Sequence, residues 1–235
     1  MGKLQPLVFL GASTAFSEIS EIICDLNRIK ERYKVIAILD DNPHLHGSLI
    51  QGVEVAGNLE LVHQYPDAQI VFGIGSIHTR LTRLSILNHL NLPDERYVTL
   101  IHPNAKIYPG VTIGHGCVIH SGVVVCGGVT LDSFSIVTFN SVIGPRSKID
   151  RGAMVTSMVT MLSGIHVGAC AFIGAGSCIS EHIRIGPGAM VGMASVIFRD
   201  VGPGAFVVGN PARTLYSVTV PPELMENWDT TSTPE

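Results

Sequence analysis

Between Ile101 and Ile197 a large apolar residue stands at every sixth position: Ile101, Ile107, Ile113, Ile119, Val125, Leu131, Val137, Ile143, Ile149, Val155, Met161, Val167, Ile173, Ile179, Ile185, Val191 and Ile197. A helix repeats its apolar stripe every 3.6 residues and a lone strand every two, so a strict period of six fits neither. It is the pattern of a parallel β-helix, in which each hexapeptide forms one short side of a coil. Three hexads close a triangular coil, so residues three hexads apart are expected to stack, over about five coils. Four residues after each apolar position stands a small or apolar residue, such as Val123, Ser135, Ser141, Ser147 and Ala153. One residue after it, glycine recurs as Gly114, Gly144, Gly168, Gly174, Gly186 and Gly192. These glycines are expected at corners that need a tight turn or a positive φ.

The first hundred residues follow a different pattern. Leu7–Leu10 reads as a buried strand that ends in Gly11-Ala12-Ser13, and the spacing of Phe16, Ile19, Ile22, Ile23 and Leu26 predicts a helix from about Thr14 to Lys30. Val35–Leu39 is a second strand closed by Asp40-Asp41-Asn42-Pro43. A turn-rich piece with Gly47 and Gly52 follows, then a short helix at Leu59–His63, a third strand at Ile70–Gly75 and a helix over Thr79–Leu90. This alternation predicts a small parallel α/β, Rossmann-like domain whose ligands bind outside the carboxyl ends of the strands. Those ends carry Gly11–Ser13, Asp40–Asp41 and Gly73–Ser76. Ser13 and Thr14 stand where a dinucleotide fingerprint has more glycine, so the first turn reads as a nucleotide site or as a plain structural turn. Asp40-Asp41 is open in the same way, as a solvated turn or as acceptors for a base or ribose. After Ile197 the hexad register is lost at Pro203. The exit segment Gly209-Asn210-Pro211-Ala212-Arg213 is rich in turn formers, and the residues from about Pro221 on read as a loose tail. The expected division is 1–98 for the α/β domain, 99–213 for the β-helix and 214–235 for the C-terminal tail.

Composition narrows the classes. Twenty-five of 235 residues are glycine, above the usual fraction of roughly 7%, and only 14% are charged. This suits a small-residue β-helix whose flat faces bury against neighbouring subunits, and it excludes disorder. A net charge of −4 without a basic stripe excludes a general nucleic-acid binder. Cys24, Cys117, Cys126, Cys170 and Cys178 form no CxxC pair and are expected to be reduced core or corner residues. With no signal-peptide pattern and no apolar run long enough to span a bilayer, a cytoplasmic protein without a membrane partner is expected.

Taken together, a small N-terminal sheet with a glycine turn and an Asp-Asp pair, a hexapeptide left-handed β-helix, and Gly-Asn-Pro-Ala-Arg resemble the sialic-acid O-acetyltransferase-like group. Its best-known members N-acetylate nucleotide-linked amino sugars for bacterial surface glycans. The resemblance implies a homotrimer with acetyl-CoA in the groove between subunits, a nucleotide-linked amino sugar on the N-terminal domain, and no metal. It implies nucleotide-sugar-binding positions at Gly11, Ser13, Asp40, Asp41 and Gly75. Ser163 stands where the group has a glycine whose backbone faces the thioester; a register slip of one would put Gly164 there. Pro211 and Arg213 belong to the segment that resembles the CoA-contacting end.

The resemblance fails at the catalytic centre. Where the group carries Asp-His-(Asp/Glu)-Cys, this chain reads Gly144-Pro145-Arg146-Ser147, with Pro145 in place of the base and Arg146 in place of its orienting carboxylate. A second histidine of the group is matched by Met154. Proline takes no proton and a thioether is a weak acceptor. General base catalysis contributes about 10²–10⁴-fold, and positioning with oxyanion stabilisation can supply more. The missing base therefore favours an amine acceptor over a hydroxyl. Two alternatives remain: a non-catalytic trimeric relative that binds or assembles, and a zinc enzyme of the β-helical carbonic anhydrase type built on His115, His120 and a third histidine such as His102.

Overall fold

The computed structural model describes residues 4–226 and 228. Five strands form the N-terminal sheet: β1 (Gln5–Leu10), β2 (Tyr33–Leu39), β3 (Leu49–Ile50), β4 (Val53–Gly57) and β5 (Gln69–Phe72), in the order β3-β4-β2-β1-β5. β1 is flanked by β2 and β5 in parallel, and Leu7, Val8, Phe9 and Leu10 are fully buried. Helix α1 (Thr14–Ile29) starts at the N-cap Ser13, whose hydroxyl accepts from the amide of Ala15 at 3.3 Å. Its face of Phe16, Ile19, Ile22 and Ile23 packs onto the sheet. Helix α2 spans Arg83–Leu90, shorter than expected, because residues 79–82 form turns. The turn-rich piece around Gly52 is a hairpin: β3 pairs antiparallel with β4 across Gln51 (φ +50°) and Gly52 (φ +80°), so the sheet is mixed where an all-parallel one was expected.

Seventeen two-residue strands follow, from β6 (Leu100–Ile101) to β22 (Val196–Ile197), and each ends on one of the hexad residues. They stack in parallel on three faces: face 1 begins at Leu100–Ile101, face 2 at Lys106–Ile107 and face 3 at Thr112–Ile113. Partners are three hexads apart, as in Ile136 with Met154 and Lys148 with His166. The hexad residues fill the coil as one continuous core. The serines four residues later are buried inside with them and stay hydrogen-bonded to the next coil. Ser141 Oγ donates to the Thr156 carbonyl at 2.7 Å and accepts from the Val159 amide at 3.1 Å.

The corners differ from expectation. None of the six glycines placed one residue after the hexad position has a positive φ. Positive φ falls two residues further on, at every sixth residue from Gly110 to Ala194. The first set is glycine for want of space: a Cβ on Gly144 would stand 2.1 Å from the Leu162 carbonyl oxygen, and one on Gly186 2.4 Å from the Pro203 nitrogen.

At the far end β23 (Ala205–Gly209) joins face 1 and pairs antiparallel with β24 (Ala212–Ser217). The described residues beyond, 218–226 and 228, are not a loose tail, and residue 227 lies outside the described residues. Leu224 is buried beside Leu84 and Leu87, and the Trp228 ring lies 4.8 Å from that of His166. Residues 229–235 of the expected tail lie outside the described residues. Among the described residues no helix is long and apolar enough to cross a membrane.

Candidate functional site

The sheet's carboxyl edge carries a pocket of about 280 Å³ lined by Gly11, Ser13, Asp40, Asp41 and Gly75, with Leu59, Ile74, Ser76, Thr79 and Ile86. All five expected nucleotide-sugar positions therefore meet in one cavity. Asp40 also builds the pocket: its Oδ2 accepts from the Ala12 amide at 2.7 Å and its Oδ1 from the Asn42 amide at 2.9 Å. This ties the turn after β1 to the turn after β2. Asp41 Oδ1 accepts from the Leu59 amide at 3.0 Å, while its side chain stays at the surface. Gly11 has φ +102°, and a Cβ there would press within 2.9 Å of the Ile74 side chain. Ser76 and Thr79 cap one another's backbone.

The pocket's floor is fixed to the β-helix by Arg83, which sequence reasoning missed. Its side chain is almost wholly buried, and it donates to the carbonyls of Ile74 (2.7 Å), Phe134 (3.2 Å) and Gly152. Burial pushes the guanidinium down to about 10, because no carboxylate among the described residues offsets its desolvation. Helical spacing alone gives no sign that an arginine at the start of α2 should point inward. Beside it, Met154 is 7% exposed and packs against Gly75 and Ile136. The position of the group's second histidine is thus an apolar contact between β-helix and pocket.

Ser163 and Gly164, expected to face acyl-CoA, lie at the corner between faces 2 and 3. There Pro145 and Ser163 stack in successive coils, the Gly164 amide donating to the Pro145 carbonyl at 2.9 Å and the His182 amide to Ser163 at 3.0 Å. At the top of this edge a pocket of about 430 Å³ is lined by residues 197–201, Val207 and 211–214, which include Pro211 and Arg213. Arg146, Arg199 and Arg213 are exposed along it. Pro145 is exposed too and accepts no proton; His182 stands further up the same edge, where a Cβ on Gly164 would come within 2.7 Å of its Nδ1.

Three buried or half-buried histidines lie elsewhere on the β-helix. His102 Nε2 is 3.0 Å from Asp25 of α1. His120 is 2% exposed, its Nδ1 has no partner, and burial followed by the neighbouring His102 pushes it down to about 4. His166 Nε2 is 2.7 Å from Asp150 Oδ2, and Lys148 Nζ is 2.9 Å from Asp150 Oδ1. Burial opposes ionisation of Asp150, but His166 and Lys148 outweigh it and hold the carboxyl below the usual range. His115 is exposed. Among the described residues no three His, Cys, Asp or Glu side chains are grouped to hold a metal ion.

Residues 98–127 match the family described as bacterial transferase hexapeptide (six repeats). The chain carries a hexapeptide-repeat β-helix fold. Over 92% of its length it is similar to a histidine-to-asparagine mutant of perosamine N-acetyltransferase from Caulobacter crescentus, in complex with CoA and GDP-perosamine; 99% of that chain is covered, at 21% identity and a TM-score of 0.79. It is similar over 91% of its length to the acetyltransferase domain of PglB from Neisseria gonorrhoeae FA1090 in complex with acetyl coenzyme A, and to WeeI from Acinetobacter baumannii AYE. Both of those chains are wholly covered, at 24% identity and TM-scores of 0.76. No curated protein matches the chain in sequence. These likenesses establish the left-handed β-helix behind an α/β domain.

Proposed function

We propose that the chain is an acetyl-CoA-dependent N-acyltransferase acting on a nucleotide-linked amino sugar. The observation that carries this reading is the convergence of Gly11, Ser13, Asp40, Asp41 and Gly75 on one cavity. A second, separate edge bears Ser163, Gly164, Pro211 and Arg213. The ligands of the similar structures, GDP-perosamine with CoA in one and acetyl coenzyme A in another, are of the two kinds required.

The working unit is a homotrimer. Face 2 presents Val124, Val142 and Val196, and it is flanked by Met158, Leu162, Met193 and Phe198, which are 46–71% exposed in one chain. Lys106, Thr160 and Cys178 interrupt the valines along this face, and the apolar surface gathers at its flanks, where it calls for a second copy. Light scattering should give three chains per particle.

Calorimetric titration with acetyl-CoA tests the reading without a guess at the sugar. Micromolar binding at one site per chain, followed by turnover on a panel of nucleotide amino sugars, is the expected result. The second reading, a non-catalytic relative, rests on Pro145, Arg146 and Met154. It takes over if acetyl-CoA binds and no amino sugar is acetylated, or if acetyl-CoA does not bind at all.

A further inference from the structure

One wall of the pocket at the sheet's carboxyl edge is held weakly by its own bonds. Ser76 and Thr79 line the cavity, and residues 77–82, which lead into α2, are turns. Among the described residues every hydrogen bond of this loop is local. Ser76 and Thr79 bond each other, Arg80 Nη1 donates to the Ile77 carbonyl, and the Thr82 amide donates to the Thr79 carbonyl. A segment fastened only by such bonds opens at little cost. We propose that the residues after β24 form a strap that positions this wall; the inference rests on the nucleotide-sugar reading above.

Contacts run without a gap from strap to pocket. The Val218 amide donates to the Gly204 carbonyl at 3.0 Å, which ties the start of the strap to the top of the β-helix. Val220 then meets Leu81 over Gly188, where a Cβ would stand 2.7 Å from Leu81 Cδ2 and 3.4 Å from a Val220 methyl group. Leu81 is two residues from Thr79. Pro221 and Pro222 restrict the backbone entering a short 3-10 turn, Pro222–Leu224. That turn sets Leu224, 3% exposed, into one apolar cluster with Leu84 and Leu87 of α2. Leu59, Ile74 and Ile86, which line the pocket, belong to or pack on the same cluster. Trp228 is the far fastener, its ring 4.8 Å from that of His166 and 4.5 Å from the Arg184 guanidinium.

Arg83 thus pins the inner end of the loop through the Ile74 carbonyl, and the strap pins its outer end through Leu81. Val220, Leu224 and Trp228 touch no ligand; they are positioning residues that act through Leu81 and α2. When the strap lifts, Ser76 and Thr79 stand in place for only a fraction of the time, and affinity falls by that fraction. The strap crosses at Gly188, between faces 3 and 1, away from Ser163 and Gly164 at the corner between faces 2 and 3.

Hydrogen exchange read by mass spectrometry on the full chain tests the hold, and calorimetry with GDP and UDP tests its effect on binding. In Leu224→Ala the amides of residues 76–82 should exchange at least about tenfold faster, those between Val118 and Val155 should not change, and affinity for whichever nucleotide binds should fall at least about fivefold. Leu224→Met, close in volume, should restore both. Trp228 is the chain's one tryptophan, so its fluorescence shows whether the strap has lifted. A lifted strap with unchanged exchange at 76–82 would overturn the proposal, as would faster exchange with unchanged nucleotide affinity. If Leu224→Ala loosens the inner coils as well, Trp228→Ala decides by the same two readouts. Failure of GDP and UDP to bind the parent protein would remove the nucleotide reading, while faster exchange at 76–82 would still establish the strap's hold on the loop.

Discussion

The position just after each inward apolar residue and the position two further on are both rich in glycine, for unrelated reasons. At the first, six glycines have ordinary backbone angles, but the coil above leaves no room for a methyl group. At the second, every residue from Gly110 to Ala194 in steps of six has a positive φ. Only eight of those fifteen are glycine; the others are Phe134, Asn140, Arg146, Met158, Cys170, His182 and Ala194. At those six positions the clash would be with neighbouring coils, although the rest of that column carries side chains. In the second column backbone strain is tolerated, because a left-handed residue costs about 1–2 kcal/mol. Where the first column is not glycine it carries much of the buried chemistry: His102, His120 and Asp150 all stand there. The second column runs from buried residues, Phe134 and Cys170, to exposed ones such as Arg146 and Met158.

Several substitutions test this division. Gly144→Ala should be the most damaging, at about 3 kcal/mol or more, since its Cβ would meet the Leu162 carbonyl at 2.1 Å. A urea midpoint within error of the parent protein would sink the spatial argument. Next comes acid sensitivity from the same column. His120 is held neutral down to about 4 when folded and titrates near 6.5 when unfolded. The unfolded chain therefore binds the extra proton, and stability falls as pH drops from 6.5 towards 4, by roughly 1.4 kcal/mol per pH unit. Chemical unfolding across pH 7 to 4 should show that slope, and His120→Gln should flatten it. Gly176→Ala, with φ +71° and open space around it, should cost only about 1–2 kcal/mol. Ala194→Gly, at φ +55°, should stabilise by under about 1 kcal/mol; a clear loss in thermal unfolding would mean that φ is not what the corner selects. Pro145→His should change least, giving less than about a tenfold gain in acetyl transfer, because Arg146 cannot orient the new imidazole. A larger gain in a steady-state assay would show that no orienting partner is needed.

The hexad was fully legible because a side of two-residue strands repeats without insertion, so each of the seventeen apolar positions is also a strand end. The sheet's pocket was legible for the same reason that its strands were: their carboxyl ends converge, and the residues there are few. What escaped depends on contacts distant in sequence. Arg83 bonds to carbonyls 51 and 69 residues away, and a helical pattern carries no trace of that. The β3–β4 hairpin was hidden by a strand of only two residues. Trp228 looked like part of a polar tail, and only the stacked coils bring His166 beneath it. The corner glycines were misassigned because composition shows where glycine occurs and not which of its two properties is used.

Stacking at a fixed interval has a consequence for how this chain can change. Every inward residue of the inner coils sits against residues one coil above and below. Removing one residue within a strand would therefore turn the next hexad inside out, and the fault would carry to the end of the thread. Length in this region can alter only in whole coils, or by a loop that leaves and rejoins at one corner. The molecule can lengthen at its last turn, where β23 and β24 already abandon the count, more readily than anywhere between.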